Sequence, residues 1–319
     1  MAGIWAYAEV TPEGPLPSAL ELLAKARTLG GDVAAVALGP GATSAAAELG
    51  RHGAATVFAS DDEAYDDGLG RPQAYALQAI VGEHRPDLVL FSSSYEARDV
   101  AGRLQARLGC ALMSNAIDVP APDAARTEIF GGSHVVDVAL EGPTPRLVLV
   151  RPKSFAPEPT GGEAAVVPVE VAIPDELRAA KRLERHEEAV AGPRLEDAKV
   201  VVAGGRGLQD PSNFRLLDEL AAAIGEAAVG ATRAVVDAGW VPYSYQIGQT
   251  GKTVTPEVYI AVGISGATQH AVGMKSSKRV IAINKDPDAP VFRLADLGIV
   301  GDALSLLPAL VEELRSRRA

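Results

Sequence analysis

Through the first hundred residues, short apolar runs alternate with amphipathic stretches. Ile4–Val10, Asp32–Leu38, Thr56–Ser60 and Asp87–Ser93 carry successive apolar residues and predict strands buried in a parallel sheet. Stretches near Ser18–Leu29, Thr43–Arg51, Pro72–His84 and Ala97–Leu108 place apolar residues at helical spacing. Repeated β–α units imply parallel strands joined by right-handed crossovers. From Asn115 to about Val171 the rhythm changes. Arg126–Phe130, His134–Leu140 and Arg146–Val150 follow one another through Gly and Pro turns, and predict antiparallel strands added to the sheet edge.

Pro174–Pro193 is polar and highly charged and predicts a solvated connector, with His186 an ordinary surface histidine. A second β–α series begins at Lys199 and ends in a strand Gly298–Val300 and a helix from Ala303 to about Arg315. The expected fold class is α/β, as two three-layer Rossmann-like domains. Residues 1–192 form an N-terminal scaffold ending in the charged connector. Residues 193–319 form the second, a doubly wound parallel sheet.

Sheets of this kind bind ligands beyond the carboxyl ends of their strands. In the second domain those ends carry Gly204-Gly-Arg-Gly207, Gly263-Ile-Ser-Gly266, Asn284-Lys-Asp286 and Gly301-Asp302, which should converge on one crevice. Within Tyr259–His270 an apolar run opens into a glycine-rich turn at a helix start, where outward amides and the helix dipole favour an anion. Lys199–Arg206 repeats the arrangement and adds a guanidinium. One such turn is weak evidence, since glycine also serves close packing; two suit a dinucleotide pyrophosphate. The corresponding ends of the first domain, Gly39-Pro-Gly41, Ser92-Ser-Ser-Tyr95 and the loop after Glu9, lack a comparable set of glycines and charges.

Composition narrows the classes. A chain of 319 residues with 47% hydrophobic residues and 32 glycines suits two tightly packed α/β domains. No apolar run approaches the roughly 20 residues that span a bilayer. Met1–Glu9 lacks the basic region of a signal peptide, so a soluble protein of the bacterial cytoplasm is expected, without membrane insertion. A single cysteine, Cys110, excludes an internal disulfide and a four-cysteine cluster, and no metal site is expected. Net charge is −11, but residues 1–198 carry 17 Lys and Arg against 29 Asp and Glu, and residues 199–319 carry 13 against 12. The acidity argues against nucleic acid as a partner. The near-neutral second part can hold an anionic ligand without a repulsive field.

Five segments of the second domain occur together: Ala203-Gly-Gly-Arg-Gly-Leu208, Gly230-Ala-Thr-Arg-Ala-Val-Val-Asp-Ala-Gly239, Gln246-Ile-Gly-Gln-Thr-Gly-Lys252, Ala261-Val-Gly-Ile-Ser-Gly-Ala-Thr-Gln-His270 and Ala282-Ile-Asn-Lys-Asp-Pro287. In order and spacing they resemble the α subunit of electron transfer flavoproteins. The first domain resembles it more loosely, through Arg98–Gly109. The resemblance implies a heterodimer with a β subunit, contacted by the first domain, and one FAD held mainly by the second. It implies an electron carrier rather than an enzyme, serving fatty acid β-oxidation: electrons arrive from acyl-CoA and related dehydrogenases and leave to a quinone oxidoreductase.

Carried over by residue, Arg206 sits near the FAD, and Thr232 and Arg233 line its phosphate and flavin region. Thr232 stands where many relatives have serine, which keeps the hydroxyl and adds a methyl. Gln249, Thr250 and Gly251 face the isoalloxazine, with the Thr250 hydroxyl near N5. Ser265, Gly266, Gln269 and His270 run along the pyrophosphate, ribityl and pyrimidine side, and Asn284 and Asp302 hold the adenosine end. Ile247, Gly248, Ala267, Thr268 and Ala303 are further expected cofactor contacts. A donor or cation such as His270 or Arg233 near N1 and O2 would stabilise a half-reduced, anionic flavin. The connector Pro174–Pro193 would let the second domain reorient between partners.

Blander roles exist for the same residues. His270 could be satisfied by backbone at a helix start, Asp302 could only cap the last helix, and Asn284 could only form a turn. Lys275, Lys278 and Arg279 suit a solvated helix end. Competing functions are an electron-bifurcating, nitrogen-fixation or carnitine-type relative, an NAD-dependent enzyme using His270 as acid or base, and a nucleotide-sensing module.

Overall fold

The computed structural model describes residues 3–67, 69–132, 134–184 and 192–318. The chain divides into two compact units, Met1–Arg185 and His186–Ala319. The middle of the expected connector, His186 included, lies outside the described residues.

The first unit is built on a sheet of nine strands among the described residues, in the order Ala165–Pro168, Thr56–Ser60, Asp32–Leu38, Gly3–Ala8, Leu88–Ser92, Arg146–Val150, Leu112–Ala121, Ala124–Ile129, His134–Ala139. The first seven run parallel and only the last two pairings are antiparallel. Gly3–Ala8 shows why both faces are covered. Ile4, Ala6 and Ala8 face Leu22, Leu23 and Leu49 of the helices Pro17–Thr28 and Ala42–Arg51. Trp5 and Tyr7 face Leu77, Ile80, Val100 and Leu104 of the helices Arg71–His84 and Tyr95–Leu108. Alternate residues of one strand thus feed two cores, as strand geometry requires.

One expectation is corrected. Arg146–Val150 is not an antiparallel edge strand; it lies inside the sheet, parallel to both Leu88–Ser92 and Leu112–Ala121. Leu147, Val148, Leu149 and Val150 are all buried, which only a strand covered on both faces achieves. The unhelical connection before it had suggested a hairpin. Ala124–Ile129 and His134–Ala139 do form the antiparallel edge.

The second unit has a six-stranded sheet, all parallel, in the order Gln246–Ile247, Ala227–Thr232, Val200–Gly204, Val258–Val262, Val280–Asn284, Leu297–Val300. The chain winds outward from Val200–Gly204 in one direction, then returns beside it as Val258–Val262 and winds the other way. The switch point falls between those two strands, whose last residues, Gly204 and Val262, are paired. One face is covered by the helices Arg215–Ile224 and Ala303–Arg318, through Leu217, Leu220, Leu307 and Val311. The other is covered by irregular chain and the short helix Thr268–Ala271, through Leu195, Ile247, Val254, Met274 and Val291.

Candidate functional site

A cavity of about 630 Å³ lies at this switch point, within the range of small-molecule sites. Its walls come from five of the six strand ends, that of Leu297–Val300 contributing nothing: Gly205–Gly207, Thr232–Ala234 with Asp237, Ile247–Thr250, Gly263–Ser265 with Ala267, Gln269 and His270, and Asn284, Asp286, Ala289 and Pro290.

The two glycine-rich ends meet backbone to backbone. A Cβ on Gly207 would stand 2.5 Å from Gly263 Cα, so the crossing admits no side chain. The amides of Gly205 and Gly207 donate to the carbonyls of Val262 and Gly263, at 3.0 and 2.9 Å. This corrects the expectation of two anion-receptive turns. The first turn spends those two amides on its neighbour and offers the cavity the Arg206 guanidinium instead. In the second turn, among the described residues, the amides of Ser265 to Gln269 donate to no protein acceptor. Three of these residues, Ser265, Ala267 and Gln269, line the cavity together with the cation Arg206, which makes the ligand's preferred charge negative.

The loop 246–252 forms another wall. It is closed by Lys252 N–H to Gln246 O, 2.8 Å, and Gly248 N–H to Lys252 O, 3.1 Å. Gln249 N–H reaches Gln269 O at 2.8 Å, tying this wall to the turn that precedes His270. Thr250 and Gln249 are exposed at the loop tip, Ile247 and Gly248 are buried at its base, and Lys252 pairs with Glu196 at 3.1 Å.

His270 is not the expected cation. It is buried, its Nδ1 lies 3.0 Å from Ile247 O, and its Nε2 lies 2.8 Å from the hydroxyl of fully buried Tyr259. A carbonyl only accepts, so Nδ1 carries the proton and Nε2 accepts from the tyrosine. Burial lowers the imidazole pKa to about 4, partly opposed by the bond to Ile247, so the ring is neutral at pH 7. The cations of the site are Arg206 and Arg233, and Arg233 is shared with Asp237 at 3.1 Å.

Of the expected site residues, Arg206, Thr232, Arg233, Ile247, Gly248, Gln249, Thr250, Ser265, Ala267, Gln269, His270 and Asn284 line the cavity. Gly251, Gly266, Thr268, Asp302 and Ala303 do not. Asp302 accepts from Leu304 N–H at 3.2 Å as a helix cap, and Ala303 is the buried first residue of that helix. The Asn284 side chain bridges two loops, donating to Ile264 O at 2.8 Å and accepting from Asp286 N–H at 3.0 Å. Asp286, Asp237, Ala289 and Pro290 line the cavity without having been singled out as ligand contacts. Asp286 lies within the segment Asn284-Lys-Asp286 and Asp237 within Gly230–Gly239; Ala289 and Pro290 carry no motif signal. Among the described residues, no group of three His, Cys, Asp or Glu is placed to hold a metal. None of their helices is long and apolar enough to cross a membrane.

Residues 194–275 match the electron transfer flavoprotein FAD-binding domain, and residues 4–176 the electron transfer flavoprotein domain. The electron transfer flavoprotein subunit alpha of Mycobacterium leprae is 40% identical over 300 residues, covering 93% of each chain. That of Syntrophomonas wolfei is 37% identical over 320 residues, covering 99% of this chain and 100% of the relative. Protein FixB of Clostridium saccharobutylicum is 36% identical over 322 residues, covering 98% and 96%.

Proposed function

The chain belongs to the electron transfer flavoprotein family, as a relative of its FAD-binding α subunit, and from that premise we propose that the strand-end cavity of the second unit holds FAD for electron transfer. The observation that carries this reading is the lining: the amides of Ser265, Ala267 and Gln269, which have no protein acceptor among the described residues, the Arg206 guanidinium, and the exposed Thr250 hydroxyl on a separate loop. A pyrophosphate fits the first two and a polar ring edge fits the third. Ile247, Ile264, Ala267, Ala289 and Pro290 supply apolar surface between them.

When bound, FAD supplies the redox chemistry, accepting and releasing electrons at its ring system. Ser265, Ala267, Gln269 and Arg206 would hold its phosphates. Thr250 and Gln249 would face its ring system, and Arg233 would add positive charge to the lining. His270, neutral and doubly bonded, props the loop 246–252 against the strand Val258–Val262 and carries no proton to the cofactor.

In this reading the chain pairs with a β subunit through its first unit. It accepts electrons from acyl-CoA and related dehydrogenases in the bacterial cytoplasm and passes them to a quinone oxidoreductase. The test is co-purification with the natural partner subunit and a visible spectrum. A yellow complex with one FAD per heterodimer, bleached by dithionite, supports the carrier; a colourless protein that turns over NAD overturns it. Similarity to Protein FixB keeps a second reading, a specialised or electron-bifurcating relative, and two flavins per heterodimer would favour bifurcation.

A further inference from the structure

We infer that Gln246, which does not line the cavity, is a positioning residue that makes the Thr250 hydroxyl a hydrogen-bond donor toward the cofactor. This rests on the reading that Thr250 faces the flavin ring. Gln246 is 2% exposed, and its Nε2 donates to Thr250 Oγ1 at 3.0 Å. A hydroxyl has one proton and two lone pairs. With one lone pair engaged from beneath by an amide N–H, the hydroxyl proton turns outward. The two bonds in series also polarise each other, so the outward one is strengthened.

The surrounding geometry keeps the two side chains together. A Cβ on Gly251 would lie 2.4 Å from Gln246 O and 2.9 Å from its Cγ, so the loop rests directly on Gln246. Lys252 N–H is bonded to Gln246 O, and the Tyr243 hydroxyl donates to the Thr250 carbonyl. Thr250 is therefore held through its backbone on one side and its hydroxyl on the other. An exposed threonine without such support would rotate and donate to water.

The test uses the flavin-loaded complex carrying ¹⁵N-labelled FAD, read by the N5 resonance and the one-electron midpoint potential. Gln246→Met keeps length and volume but donates nothing; Thr250→Val removes the hydroxyl. Both should move the N5 resonance the same way. Both should also disfavour one-electron reduction by about three- to tenfold, where tenfold corresponds to about 59 mV. The double variant should go no further than Thr250→Val alone, because the two residues act as one unit. If Thr250→Val leaves the resonance unmoved, the placement of Thr250 fails. If Thr250→Val moves it and Gln246→Met does not, or if the two effects add in full, the role of Gln246 is overturned while that of Thr250 stands. Should Gln246→Met not retain FAD, Gln246→Glu replaces it, since a carboxylate draws the hydroxyl proton inward. The same direction is expected, and an unmoved resonance overturns the proposal.

Discussion

The two units share a design, a parallel sheet with a switch point, yet treat their strand ends oppositely. In the first unit the strand ends are filled by the chain itself. The loop after Gly3–Ala8 folds over Gly41, whose Cβ, if present, would lie 2.2 Å from Thr11 O. Asp61 accepts from Thr43 N–H at the start of one helix, and Ser94 accepts from Ala97 N–H at the start of another while donating to Glu9 at 2.5 Å. In the second unit the amides of Ser265, Ala267 and Gln269, which line the cavity, have no protein acceptor among the described residues, and the surrounding charges balance. The same topology thus gives a scaffold or a cofactor site according to whether side chains satisfy the strand-end donors.

The largest test of this contrast is a matched pair of glycine substitutions. Gly207→Val forces apart the crossing with Gly263 and should abolish FAD retention, measured as flavin absorbance per protein. Gly41→Val, at φ +91 and against Thr11, should destabilise the first unit by roughly 3 kcal/mol and leave flavin content unchanged. Equal flavin loss in both variants would break the contrast.

Next come opposite pH dependences. Burial raises the Glu9 carboxyl from 4.5 to about 7, against the pull of the Ser94 bond and with help from Glu96. Its native state holds the proton more tightly than the unfolded chain, so stability falls as pH rises from about 4.5 to 7. His270, lowered from 6.5 to about 4, does the reverse: stability is full above 6.5 and is lost as pH falls toward 4. Unfolding midpoints against pH should flatten between 4.5 and 7 in Glu9→Gln, and lose their acid-side slope in His270→Gln.

Smaller still, Arg206→Ala should weaken FAD binding about tenfold, or about 1.4 kcal/mol, more so at low salt. Isothermal titration of the stripped complex with FAD measures it. At the lower end, Ser94→Ala and Asp302→Ala should each reduce stability by about 1 kcal/mol as lost helix caps. For Asp302 the FAD affinity should not change; a weakened affinity would return that residue to the binding site.

Most of this contrast was legible along the chain, and the exceptions are instructive. Asp32–Leu38 and Thr56–Ser60 match their expected bounds because continuous apolar runs bracketed by polar turns leave little choice. For Arg146–Val150 the flanking Gly and Pro turns suggest a hairpin, whereas the unbroken apolar run Leu147 to Val150 is the signature of the two-faced burial the strand adopts. The edge strand Ala165–Pro168 has four residues and a terminal proline, too little for any periodicity. At the site, residue types were readable but their engagement was not. That Gly205 donates to Val262 depends on the pairing of two strands far apart in sequence. That His270 is neutral depends on Tyr259 pointing at it from the neighbouring strand.

Every residue lining the cavity falls between Gly205 and Pro290, so all of them belong to one of the two units. Mass action then acts at that unit: saturation at a hundredfold over the dissociation constant raises its unfolding free energy by about 2.7 kcal/mol. Its melting temperature becomes a gauge of cofactor occupancy, and loss of the flavin removes that increment.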